Sequence, residues 1–99
     1  MLLAADSNLW YECMVRLDLG SEGRQGALHC YFEKNSQYEE MRIPLRDIKC
    51  VCTIHKMSRN HCFAVHTPLR SQERNPLVIH TGSEKDLIDW VTTLSSAAS

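Results

Sequence analysis

"GSEKDLIDWVTTLSS", residues 82–96, decides how the rest of the chain must be arranged. Leu87, Trp90, Val91 and Leu94 recur at i, i+3, i+4 and i+7 with Ile88 beside them, so a helix built here carries one apolar stripe. Ser83 stands where an N-cap belongs, and Glu84 and Asp86 fall in the first turn, where the helix dipole favours negative charge. The spacing predicts a helix over about 83–96. The preceding chain reads as strands, so the stripe has only a sheet to be buried against.

Working back from that helix, the period is two. "LWYECMVRLDLG" sets Tyr11, Cys13, Val15, Leu17 and Leu19 on one face and Glu12, Met14, Arg16 and Asp18 on the other. "GSEGRQG" supplies three glycines and a break, and "ALHCYFEK" alternates again with Leu28, Cys30 and Phe32 inward, so the two segments read as a hairpin. After the turn "NSQ", "YEEMRIPLRDI" places Met41, Ile43 and Leu45 on one face, and its proline marks an edge position or a strand end. "KCVCTIH", "HCFAVHT" and "PLVIHT" are three further strands, with Cys50, Cys52 and Ile54 expected to alternate inward as small hydrophobes. With "MLLAA" as a first strand the count is seven. The expected architecture is α+β, mainly β: seven antiparallel strands curled into a barrel or orthogonal sandwich, with the helix plugging the open end.

Composition narrows the function classes. Ninety-nine residues, 43% of them hydrophobic, suit one domain over 1–99 with no room for a second core. Eleven Lys and Arg against twelve Asp and Glu leave a formal net charge of −1, without the positive field that nucleic-acid binding needs. No apolar run approaches the ~20 residues of a membrane-spanning helix, and "MLLAAD" lacks the basic start of a secretory signal. Five cysteines, an odd number scattered over strands, suit reduced thiols in a cytoplasmic protein better than a disulfide framework.

The order of these elements resembles a pleckstrin homology domain, from Trp10 to Leu94. "WYECMVRLDL" is similar to that family's second strand, "GALHCYFEK" to its third, "MRIPLRDI" to its fourth and "HCFAVHT" to its sixth. "PLVIHTGSEKDLIDWVTTL" matches its passage from the last strand into a tryptophan-bearing helix, with Trp90 at the tryptophan position. The resemblance implies a non-catalytic interaction module of a signalling adaptor, scaffold or exchange-factor-type protein. Phosphotyrosine-binding relatives of the superfold carry paired arginines after a "WPL" strand, where this chain has "IKCVC". Family members that hold phosphoinositides use clustered Lys and Arg across the first two strands, where positive groups converge on phosphates. The equivalent "MLLAADSNLWYEC" has no Lys or Arg. The first strand and loop are therefore expected to be short, or completed by residues upstream.

No histidine is linked by pattern to a nucleophilic cysteine or serine, so no enzyme is expected. Cys50, Cys52, His61, Cys62 and His66 offer soft ligands, but their spacing is not that of a structural zinc site, and neither a metal nor a cofactor is expected. A protein partner, with another copy of the chain among the options, is expected to dock on exposed strand edges and outward side chains: Trp10, Met14, Tyr38 and Arg42. Trp10 has a second reading as a structural cover. The alternative function is weak phosphoinositide contact at a membrane surface through loop residues Lys56, Arg59, Arg70 and Arg74.

Overall fold

The computed structural model describes residues 1–6, 8–68 and 76–99. Seven strands form in chain order: β1 (Leu2–Ala4), β2 (Trp10–Ser21), β3 (Arg24–Lys34), β4 (Gln37–Pro44), β5 (Cys50–Ile54), β6 (Cys62–His66) and β7 (Leu77–His80), followed by one helix, α1 (Glu84–Ala98). A 3₁₀ turn, Leu45–Asp47, separates β4 from β5.

All pairings are antiparallel, in one sheet of order β4-β3-β2-β1-β7-β6-β5. β2 joins the two halves of that sheet. Its first residues pair with β1, Trp10 opposite Ala4, and from Cys13 onward it pairs with β3, Cys13 opposite Phe32. The expected pair of sheets is thus one continuous sheet that changes partner along β2. Pro44 ends edge strand β4, where its missing N–H costs no ladder bond. The β3–β4 link is a two-residue turn with Asn35 (φ 53°) and Ser36 (φ 64°) both left-handed, the geometry that matches the twist of a hairpin.

The core lies between the sheet's concave face and α1. Leu3, Leu28, Cys30, Phe32, Ile43, Phe63, Val65, Leu77 and Ile79 are buried there, and Leu87 and Leu94 of α1 close over them. Trp90 stacks on Phe63 at 6.3 Å between ring centroids, and Val91 packs beside it. The N-cap is Ser83, whose side chain accepts from the Asp86 amide at 3.2 Å. Ile88 is turned away from the stripe and is exposed.

Two expectations about facing fail. Leu19 keeps the parity of Leu17 but lies where the hairpin runs past the core, and it is 69% exposed. Cys50, Cys52 and Ile54 face outward rather than inward; Val51 is the β5 residue packed on the core. Ile54 joins a second apolar cluster on the outer side of the β7–β6–β5 half, where Cys62, Ala64 and Val78 are buried under Ala4, Trp10, Ile54 and Met57, whereas Cys50 and Cys52 are exposed on the edge strand. β5 carries apolar residues on both parities, Cys50, Cys52 and Ile54 on one and Val51 on the other, so alternation alone does not fix which side faces the core.

Candidate functional site

The candidate site is the outer face of β2, β3 and β4. Pairing sets its rows: Met14 opposite Tyr31 and Tyr31 opposite Glu40; Arg16 opposite His29 and His29 opposite Arg42; Glu33 opposite Tyr38. Polar contacts hold the centre. His29 Nδ1 lies 2.8 Å from Glu40 Oε1, the His29 ring stacks on Tyr31, and Arg16 donates to the Tyr31 hydroxyl at 3.3 Å. That bond to Tyr31 is the main reason the Arg16 guanidinium is pushed above its ordinary pKa. At the hairpin end Arg24 grips both oxygens of Asp18. This fork, with the Gly20 amide donating to the same carboxylate, holds Asp18 well below the usual carboxylate range.

At the opposite end the face is open. Met14 is 69% exposed and Tyr38 85%. They border a shallow groove of about 270 Å³ whose other walls include Glu12, Glu33 and Tyr31. Among the described residues neither Glu12 nor Glu33 has an ion-pair partner, so the groove combines apolar side chains with uncompensated negative charge. Arg42 is also exposed and outside any ion pair among the described residues. Three of the four expected docking residues, Met14, Tyr38 and Arg42, therefore share one face. The two glutamates at the groove were not singled out from the sequence. The signal for them is the two-residue Asn35-Ser36 turn, which fixes the hairpin register and so puts Glu33 beside Tyr38.

Trp10 belongs elsewhere. It is half-buried on the second apolar cluster, its indole N–H donates to Ser58 Oγ at 3.1 Å, and His80 meets it edge-on at 6.1 Å. Arg59 lies over the same ring at 5.8 Å. The loop carrying these groups is tied to β7: His80 Nδ1 lies 2.7 Å from the Asn60 carbonyl, and Thr81 donates twice to the His61 carbonyl. This is the structural cover that was the second reading of Trp10.

Of the four loop cations, Lys56 is exposed, Arg59 is engaged with Trp10, and Arg70 and Arg74 lie outside the described residues. The link between β1 and β2 is short and closed on itself. Asp6 accepts from the Asn8 and Leu9 amides, each at 2.8 Å, which lowers its pKa, and Ala5 N–H bonds the Leu9 carbonyl. Among the soft ligands, Cys52 Sγ lies 3.7 Å from His66 Nε2, with Cys50 opposite His66 in the ladder. The buried Cys62 thiol donates instead to the Arg59 carbonyl, and burial pushes its pKa up. No group of three ligands converges among the described residues.

This architecture, a single antiparallel sheet of seven strands closed by a C-terminal helix, agrees with comparison to known proteins. The chain belongs to the PH domain family, whose match runs over residues 7–99. PH domains are generally non-catalytic interaction modules that bind proteins or phosphoinositides. Among curated proteins the chain is similar to tectonin beta-propeller repeat-containing protein 1 of Gallus gallus, with 26% identity over 89 residues, and to the proteins of that name from Rattus norvegicus (27%) and Homo sapiens (26%). Each alignment covers 87% of this chain and 8% of the relative, so the chain spans a small fraction of the length of the proteins it matches. No solved structure matches it significantly. Among the described residues no helix is long and apolar enough to cross a membrane.

Proposed function

We propose that the chain, as a single domain over 1–99, is a non-catalytic docking module. It presents the outer face of β2–β4 to a protein partner within a cytoplasmic adaptor or scaffold of the signalling type. The observation that carries this reading is the open groove in which Met14 and Tyr38 stand exposed beside Glu12 and Glu33, neither of which has an ion-pair partner among the described residues. An apolar side chain flanked by Lys or Arg is the complementary ligand: the anchor covers Met14 and Tyr38 while its neighbours meet the glutamates. Arg42 gives the same face a cation at its far end, which helps orient the bound segment. The small share of each curated relative that aligns supports a role as one module of a longer chain.

The competing function is phosphoinositide contact through Lys56 and Arg59. It is weakened by the engagement of Arg59 over Trp10 and by a β1–β2 link without a single basic residue. Cosedimentation with phosphoinositide vesicles at low and physiological salt separates the two. Docking predicts no vesicle capture at physiological salt. Capture that persists there and is abolished by Lys56→Ala with Arg59→Ala would replace docking with membrane binding.

A further inference from the structure

Of the two edges of the sheet, β5 is packed by α1, whereas among the described residues no strand pairs with the far side of β4. β4 runs eight residues, Gln37–Pro44, has no lysine, and meets its only proline at the last position, so the one inward-parity charge that blunts this edge is Glu39, near the turn and opposite Phe32, while its middle from Glu40 to Arg42 stays open to pairing. Its charges are placed in a particular way. Glu40 and Arg42 both lie on the outer face, two residues apart, with Met41 between them turned toward the core side.

An edge strand that pairs with its own copy about a two-fold axis must run antiparallel and set residues of like facing opposite one another. For β4 the central choices are pairing about Glu40, about Met41 or about Arg42. The first puts Glu40 against Glu40 and the last puts Arg42 against Arg42, both like-charge contacts. Pairing about Met41 sets each Glu40 opposite the other copy's Arg42, brings the two Met41 residues together on the core side with each exposed Glu39 opposite Ile43, and lays each Tyr38 over Pro44. Both charged groups are available for this. His29 occupies only Oε1 of Glu40, and Arg42 has no ion pair among the described residues.

We propose that β4 pairs with β4 of a second copy of this chain, antiparallel about Met41, to give a two-fold dimer in which the sheet runs on from one copy into the other. The proposal goes beyond docking on the β2–β4 face: it uses the backbone edge and the Glu40–Arg42 exchange, shares Tyr38 and Arg42 with that face but not Met14, Glu12 or Glu33, and either can fail without the other. The test is sedimentation equilibrium of the full chain with Glu40→Arg, Arg42→Glu and their equimolar mixture. The wild type dimerises. Each single variant replaces two attractions with two repulsions and raises the dissociation constant about tenfold or more. The mixture restores association, because the two arginines of a Glu40→Arg copy then face the two glutamates of an Arg42→Glu copy.

A wild type that stays monomeric overturns the proposal. So does a dimer indifferent to both variants, or a pair of monomeric variants that fail to associate when mixed. Circular dichroism confirms that each variant folds. Should one fail to, concentration-dependent slowing of amide exchange in β4 of the wild type decides: slowing confined to Gln37–Ile43 supports the pairing, and unchanged exchange there overturns it.

Discussion

The two halves of the sheet treat their outer faces in opposite ways. Over β5–β7 the chain folds its own loop and Trp10 across Cys62, Ala64 and Val78, and fixes them with bonds from Trp10 to Ser58 and from His80 to Asn60. Over β2–β4 nothing among the described residues covers Met14 or Tyr38. The chain buries one apolar outer surface itself and leaves the other open beside Glu12 and Glu33, and the proposed docking uses the open one. Outward-facing aromatics thus carry different roles, and what separates them is whether the chain packs its own residues around them.

The comparison breaks most sharply at Trp10. Trp10→Ala strips the cover from the buried outer cluster, and for a half-buried tryptophan the expected loss is about 2–3 kcal/mol, short of the ~3–5 for a fully buried aromatic. Urea unfolding measures it, and a loss no larger than that of an ordinary surface substitution would return Trp10 to the docking face. A smaller effect is expected at the β2–β3 hairpin. Arg24 and the Gly20 amide depress the Asp18 carboxyl, so its stabilising contribution is complete above pH ~4 and is lost as pH falls through the lowered value. The stability gap between the wild type and Asp18→Asn should therefore close on acidification below pH ~4, and a gap that widens there contradicts the assignment. Smallest of all, Met14→Ala and Tyr38→Ala should each leave stability within ~0.5 kcal/mol of wild type, as substitutions at uncovered positions do.

The same contrast explains what the sequence disclosed. In the β2–β4 half one face is buried and one is wet, so alternation placed Leu28, Cys30 and Phe32, and then Met41 and Ile43, inward as found. The 3.6 period and Ser83 located α1. In the β5–β7 half β6 and β7 are buried on both faces and β5 has apolar residues on both parities, so the parity of the exposed Cys50 and Cys52 was lost. Leu19 misled for another reason: parity says which way a side chain points, not whether any core remains on that side. For the site, exposure of Met14, Tyr38 and Arg42 followed from their facing, but the groove depends on which residues the hairpin brings alongside, and Glu33 meets Tyr38 through strand pairing rather than proximity in sequence. Trp10 lies on the outer side as read; its burial depends on a distant loop, with Ser58 at a sequence separation of 48.

The most direct test of the docking face is peptide selection from a random library against the chain, followed by chemical-shift mapping of the complex. The expected peptides carry an apolar anchor flanked by Lys or Arg, and they shift the Met14 methyl and Tyr38 ring resonances while leaving the Trp10 indole unmoved. Peptides that are acidic, or that shift Lys56, Arg59 and Trp10 while leaving Met14 and Tyr38 in place, would contradict the assignment of function to the β2–β4 face.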